Sequence, residues 1–155
     1  KTVRRGLAAA GVKLLGAGAE VVATPAGPVQ IVGADFRWRG VAEHLGGLCE
    51  RHPRIPGALP VIMLHAPSAF SQLPEGEGDL VLSGHTHGGQ VGFVRLGLDA
   101  TMVSLFGVGP DHGFWSRGTD RLYVHRGTGH YGFPLRLGVP GEESVLRVHR
   151  AVRPA

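Results

Sequence analysis

Three histidines stand where their type and spacing can do chemistry. His85 and His87 sit two apart in Ser83-Gly84-His85-Thr86-His87-Gly88-Gly89-Gln90, directly after the apolar run Leu80-Val81-Leu82. His65 closes a second apolar run, Val61-Ile62-Met63-Leu64. Neutral imidazole is a good ligand for zinc, manganese or iron, and a rigid backbone must aim it. Glycines at 84, 88 and 89 let the chain turn sharply and pass close to an ion. In an extended segment His85 and His87 would point the same way; in a tight turn they splay toward two adjacent ions. A bare His-x-His also occurs in loops whose imidazoles merely cap backbone carbonyls. The flanking glycines and the matching position of His65 favour a metal cradle. A cupin-type barrel is excluded, because Gln90-Val91-Gly92 offers no acidic ligand after the pair.

Elements able to position these residues follow from the apolar pattern. Val3, Leu7 and Ala10 share a helical face that Gly11 ends. Val12–Leu15 reads as a short strand. Glu20–Thr24 and Val29–Gly33 read as a hairpin through Pro25-Ala26-Gly27-Pro28. Val41, Leu45, Leu48 and Cys49 recur at helical spacing before Pro53. Pro60–Leu64 and Asp79–Ser83 are strand-length apolar runs, with a short helix over Pro67–Leu73 between them. Leu122–His125 and Ser144–His149 read as late strands, with glycine-rich loops elsewhere. Continuous apolar runs at 61–64 and 80–82 imply strands buried on both faces, hence an α/β sheet covered by helices. In such sheets functional residues collect beyond the carboxyl ends of the strands. His65 and His85 both stand at such ends.

Composition narrows the classes further. The 155 residues suffice for one domain, and no apolar run reaches the length of a membrane span. Twenty-six glycines and 11 prolines favour turns over a helical bundle. The one cysteine, Cys49, cannot form an intrachain disulfide. The net charge of +4 is almost all arginine spread along the chain, so no nucleic-acid-binding patch emerges.

The motif Ser-Gly-His85-Thr-His87-Gly-Gly-Gln, with the strand Val61–His65 before it, closely resembles the last metal motifs of calcineurin-like metallophosphoesterases. Tyr123-Val124-His125-Arg126-Gly127-Thr128-Gly129 is similar to a bacterial branch that includes membrane-associated and exported phosphoesterases. The resemblance covers nearly the whole chain. It implies a hydrolase of phosphate monoesters or diesters with a dinuclear site of two divalent ions (Mn, Fe or Zn). His65 and His85 resemble ligands of one ion and His87 a ligand of the other. The family's earlier motifs, D-x-H, G-D-x-x-D and G-N-H-D/E, are not found: the chain has no asparagine, and Gly78-Asp79 is followed by Leu82 where the second Asp belongs. Residues 1–155 are therefore expected to be the C-terminal portion of one metallophosphoesterase domain. The fold expected is part of a four-layer αββα sandwich, and the isolated chain is expected to bind metal weakly and have little activity. Any signal or membrane anchor would lie in the missing N-terminal part, which leaves cytoplasmic and membrane-associated or exported locations open.

Other residues stand beside the motif. His130, in a glycine-rich loop after a strand end, is the secondary candidate for a catalytic role. Asp35 reads as a turn cap or cleft-shaping residue. Asp111-His112, in the glycine-rich stretch 107–113, reads as a solvated loop, the alternative being a substrate contact or proton donor that reaches the site. Arg126 is a candidate for binding an anion or pairing with Glu142 or Glu143. Trp38, Phe114 and Trp115 are candidates for an acyl groove suited to a lipid-linked phosphate ester. The alternative to an enzyme is a non-catalytic module whose histidine loop holds one structural metal. Two testable distances follow. Ring nitrogens of His65 and His85 should approach to about 3–4 Å, because metal–nitrogen bonds are about 2.0–2.1 Å long. The open side of the site should carry no Asp or Glu.

Overall fold

The computed structural model describes residues 2–107 and 109–149. Helix α1 (Thr2–Ala9) leads into a mixed sheet whose strands are β1 (Ala19–Thr24), β2 (Gly27–Gly33), β3 (Leu59–Met63), β4 (Leu80–Ser83), β5 (Gly113–Arg117) and β6 (Asp120–Val124). Helix α2 (Val41–Arg51) separates β2 from β3, and the short α3 (Met102–Leu105) precedes β5. Strand order across the sheet is β1-β2-β3-β4-β6-β5. The four central strands β2, β3, β4 and β6 run parallel, and β1 and β5 close the edges in antiparallel pairing. The fold class is α/β, as the sequence reading has it, with one sheet among the described residues. No helix of the described residues is long and apolar enough to cross a membrane.

One face of the sheet carries the core. Val32, Ile62, Val81, Leu122 and Val124 meet Leu45 and Leu48 of α2, and Phe70 and Leu73 of the 3₁₀ segment Pro67–Gln72. Leu45 and Leu48 fall on the inward stripe of α2, and burying each stabilises the fold by about 1.5–3 kcal/mol. The opposite face is only partly covered, and Val22 and Met63 stay exposed on it. A buried Gln30 fixes the chain after α2 against β2: its amide donates to Pro53 O at 2.9 Å and accepts from Ile55 N at 3.1 Å.

Several elements differ from the sequence reading. The hairpin turn is Pro25-Ala26 alone, because Gly27 already pairs with Thr24. Pro67–Gln72 is 3₁₀ rather than α-helical. Val12–Leu15 forms no strand; Leu15 and Gly16 instead pack against Gly33. Ser144–His149 forms no strand either. Strand β6 already has β4 on one side and β5 on the other, so no edge is left there for a later segment. The tail lies instead against Tyr123, whose hydroxyl bonds Glu142 and Ser144. The strand taking the free edge of β6 is β5, which joins it through a two-residue turn with Gly118 at φ 55°.

Candidate metal-binding site

The site is built at the carboxyl ends of β3 and β4. These neighbouring parallel strands pair Met63 with Leu82, and the ladder runs on through Leu64 N to Leu82 O at 2.9 Å and Gly84 N to His65 O at 3.4 Å. His65 and His85 thus leave adjacent strand ends, although 19 residues separate them in sequence. Their ring centroids lie 4.4 Å apart. On the other side, His125 N donates to Ser83 O at 2.8 Å, which ties the end of β6 to the same platform.

Backbone conformation does the aiming. His85 (φ 72°), His87 (φ 53°) and Gln90 (φ 58°) all adopt the left-handed region, as do Gly88 and Gly89. Such non-glycine residues are uncommon, and held strain of this kind collects at functional sites. Tight packing leaves the loop no alternative. A side chain at Gly88 would come within 2.8 Å of Arg126 Cγ, and one at Gly89 within 3.0 Å of Thr101 Cβ. The Thr86 hydroxyl donates to Asp111 O at 2.6 Å, and Gln90 pairs through its side-chain amide with the backbone of Tyr131.

Asp111 is the hidden support. It is 1% exposed, and its carboxylate accepts from the Thr101 hydroxyl, which caps α3 and packs on Gly89. His112 Nδ1 lies 3.1 Å from the same carboxylate. This corrects the expectation of a solvated Asp111-His112 loop. The pair is packed behind the histidine loop because Thr86 and Thr101 both depend on it.

Protonation favours ligation. Partial burial lowers the His85 pKa from its ordinary value, and the neighbouring His65 and His87 lower it further. His85 is therefore held as neutral imidazole near pH 7, with a lone pair to give. His87 Nδ1 faces Gly129 O at 3.4 Å. A carbonyl can only accept, so this contact calls for the proton on Nδ1, and the neutral ring then carries its lone pair on Nε2, the arrangement usual for ligating histidines. His65 and His85 fit a shared ion by position and by donor type. No group of three or more His, Cys, Asp or Glu able to hold an ion occurs among the described residues.

The remaining sequence candidates fall into place. His130 is exposed, and its neighbours on both sides are tied to the histidine loop, Gly129 through His87 and Tyr131 through Gln90. The loop carrying it therefore borders the site. Asp35 lines the same cleft as His65. The Gly33-to-Asp35 segment brings it there because β2 ends beside β3. Arg126 pairs with Glu142, its Nε donating at 3.0 Å. Burial raises the Glu142 carboxyl, but bonds from Ser144, Tyr123 and Arg126 outweigh that and bring its pKa down to about 2. Trp38, Phe114 and Trp115 do not form one groove: Trp38 follows β2, and the other two sit on β5, with three strands between.

Two residues near the histidines carry weak sequence signals. Phe36 stacks edge-on against His65 at 5.3 Å and lies 6.4 Å from His85. Its signal is its place one residue past Asp35 at a strand end. His44 lines the cleft of His65, and its Nε2 is buried with no hydrogen-bond partner. On sequence it is only one more helix histidine.

The chain is similar to curated bacterial metallophosphoesterases. It is 36% identical over 89 residues to an uncharacterized metallophosphoesterase of Helicobacter pylori strain J99, covering 57% of this chain and 23% of that protein. It is 30% identical over 125 residues to the phosphodiesterase YaeI of Escherichia coli K12, covering 76% of this chain and 44% of the relative. Against the uncharacterized metallophosphoesterase YkuE of Bacillus subtilis it is 28% identical over 118 residues, with 76% and 40% covered. The chain spans less than half the length of each of these relatives. No family model matches it, and no solved structure matches it.

Proposed function

We propose that this chain, a member of the calcineurin-like metallophosphoesterases, supplies the histidine side of a dinuclear metal site that hydrolyses phosphate esters. The observation carrying this reading is the His65–His85 pair at 4.4 Å on adjacent parallel strand ends. In it, His65 and His85 hold one divalent ion and His87, with Nε2 free, contributes to a second. When bound, such ions supply Lewis-acid activation of water and neutralise charge on the phosphoryl oxygens.

The chain's own residues do the rest. Left-handed backbone at His85 and His87 fixes the imidazoles before any ion arrives, so little ordering is left for binding. Asp111 and Thr101 hold that backbone from behind. His130, carried on the loop pinned by Gln90, is placed to exchange a proton with the leaving group. The further carboxylate ligands of a complete site lie outside residues 1–155 in this reading, which makes them the C-terminal portion of the catalytic domain. The substrate is a phosphate ester, and lipid-linked esters belong to the range.

A manganese titration and an assay with bis(p-nitrophenyl) phosphate test the proposal. The expected result is weak metal binding that depends on His65 and His85, with little turnover by the chain alone. Metal binding that ignores both histidines would overturn the proposal, and binding that needs His85 and His87 but not His65 would leave the second reading, a histidine loop holding one structural or adventitious metal.

A further inference from the structure

Arg136 gives its whole guanidinium to backbone carbonyls. Nε donates to Gly129 O at 2.7 Å, Nη1 to His87 O at 3.1 Å and Val139 O at 3.4 Å, and Nη2 to Arg126 O at 2.7 Å and Gly127 O at 3.2 Å. These five acceptors match the five N–H donors that a guanidinium carries. The side chain is half-buried and enters no ion pair among the described residues. Its fork is therefore closed to a substrate anion. The backbone next to it is fixed: Leu137 N donates to Gln90 O at 2.8 Å, and Leu137 O accepts from Gly92 N at 2.9 Å. Arg136 thus starts beside the histidine loop. Two of its five carbonyls bear on His87. One is that residue's own, which also accepts from Gln90 N at 3.2 Å. The other, Gly129 O, faces the ring's Nδ1 at 3.4 Å. The guanidinium holds His87 at both ends, main chain and ring acceptor.

From this geometry we propose that Arg136 is a positioning residue for His87: it sets the orientation of the ring and keeps the proton on Nδ1, so that Nε2 meets a metal ion with its lone pair. The proposal rests on the phosphoesterase reading and adds how the ligand of the second ion is aimed. Among the described residues no donor other than Arg136 and His87 reaches Gly129 O, so removing the guanidinium frees that carbonyl to turn away. A free neutral imidazole carries its proton mostly on Nε2, the atom that must stay bare to ligate. Left-handed backbone at His87 (φ 53°) is uncommon outside glycine and is kept only where its surroundings hold it. A cation this near a metal ligand repels a metal ion, so the value of arginine here is its planar fork and not its charge. A lysine, with three donors on one nitrogen, cannot span the same five carbonyls.

A nitrogen–proton correlation spectrum of the imidazoles gives the test. It is recorded on the isotope-labelled full chain with chelator present, at about pH 8.5, where an ordinary imidazole is neutral. Signals of His87 are identified by their loss in His87→Gln. In the unaltered chain His87 should carry its proton on Nδ1; a proton on Nε2 overturns the proposal with no variant needed. Arg136→Lys and Arg136→Ala should each lower the ratio of Nδ1–H to Nε2–H at His87 several-fold, the range that one hydrogen bond commands. Gln90→Ala unpins the same loop at Tyr131 but leaves Arg136 on Gly129 O, and should keep the ratio. An unchanged ratio in Arg136→Lys overturns the proposal. So does an equal fall in Gln90→Ala, which would make Arg136 one loop contact among several. The manganese titration is read separately. A His87 ordered by Arg136 in a chain without histidine-dependent metal binding would sink the phosphoesterase reading and leave the positioning standing. Histidine-dependent metal binding with a His87 indifferent to Arg136 would do the reverse.

Discussion

The two ends of the parallel strands are braced by the same device and used for different purposes. At the amino end of β6, Asp120 is fully buried, takes Arg117 Nη2 at 2.7 Å and accepts from Gly78 N at 2.9 Å and Gly76 N at 3.3 Å. Behind the carboxyl ends, Asp111 is equally hidden, but its partners are Thr101 and His112, and its own carbonyl holds Thr86. The first network ties the charged pair to the chain around the 3₁₀ segment, where Arg117 also donates to the carbonyls of Phe70, Ser71 and Leu73. The second transmits its rigidity to a loop of strained, outward-facing histidines. A buried carboxylate thus closes the fold at one end and positions ligands at the other, and what it touches distinguishes the roles.

Breaking the two networks should separate stability from binding. Asp120→Ala leaves two backbone N–H groups without their acceptor and the Arg117 guanidinium, still held by backbone carbonyls, without its counter-charge, and should cost about 3 kcal/mol or more in urea denaturation. Metal affinity should hold under native conditions; its loss would mean the ends are coupled. Asp111→Ala should cost less, about 1–3 kcal/mol, because it leaves a hydroxyl and an imidazole rather than a guanidinium without their partner. It should also weaken manganese binding several-fold, because the backbone whose carbonyl holds Thr86 is no longer anchored to Thr101 through the carboxylate, with Asp111→Asn restoring part of it. Unchanged affinity in Asp111→Ala would reduce that residue to a packing role.

Much of this contrast is legible in the sequence, but unevenly. The runs Val61–Leu64 and Leu80–Leu82 announce buried parallel strands, and glycines around His85 announce a turn that strands alone do not need. The antiparallel edge β5 stays hidden, because Phe114 and Trp115 sit in a glycine-rich stretch that looks like a loop. Ser144–His149 misleads for the opposite reason: its composition suits a strand, but β5 already occupies the available edge. Asp111 is illegible because burial is set by Thr86 and Thr101, which lie far from it along the chain. Phe36 and His44 join the site only through the parallel pairing of β2 with β3, a contact that local pattern does not encode.

Acid should loosen the tail. The Glu142 carboxyl has a folded pKa of about 2 against an ordinary 4.5. Its stabilisation is therefore complete above about pH 4.5 and is lost as pH falls through 2. Tyr123 fluorescence and the folding free energy should change in that window, and Glu142→Gln should flatten the profile there. A profile insensitive to Glu142→Gln would show that the tail is held by other contacts. The smallest effect belongs to Arg54–Asp79, an exposed pair at 2.5 Å near the amino ends of the strands. Asp79→Ala should change stability by about 1 kcal/mol or less and leave the histidine site untouched.

The claim on which the rest depends is that His65 and His85 share an ion. Manganese or zinc affinity, measured by calorimetry for the unaltered chain and for His65→Ala, His85→Ala and His125→Ala, addresses it directly. His125 stands at a neighbouring strand end but turns its Nδ1 to Gly127 N at 2.8 Å, which makes it the matched control. The account predicts at least a tenfold loss for His65→Ala and for His85→Ala, no further loss when the two are combined, and no change for His125→Ala. Equal affinity in all four proteins, or independent additive losses at 65 and 85, would contradict it.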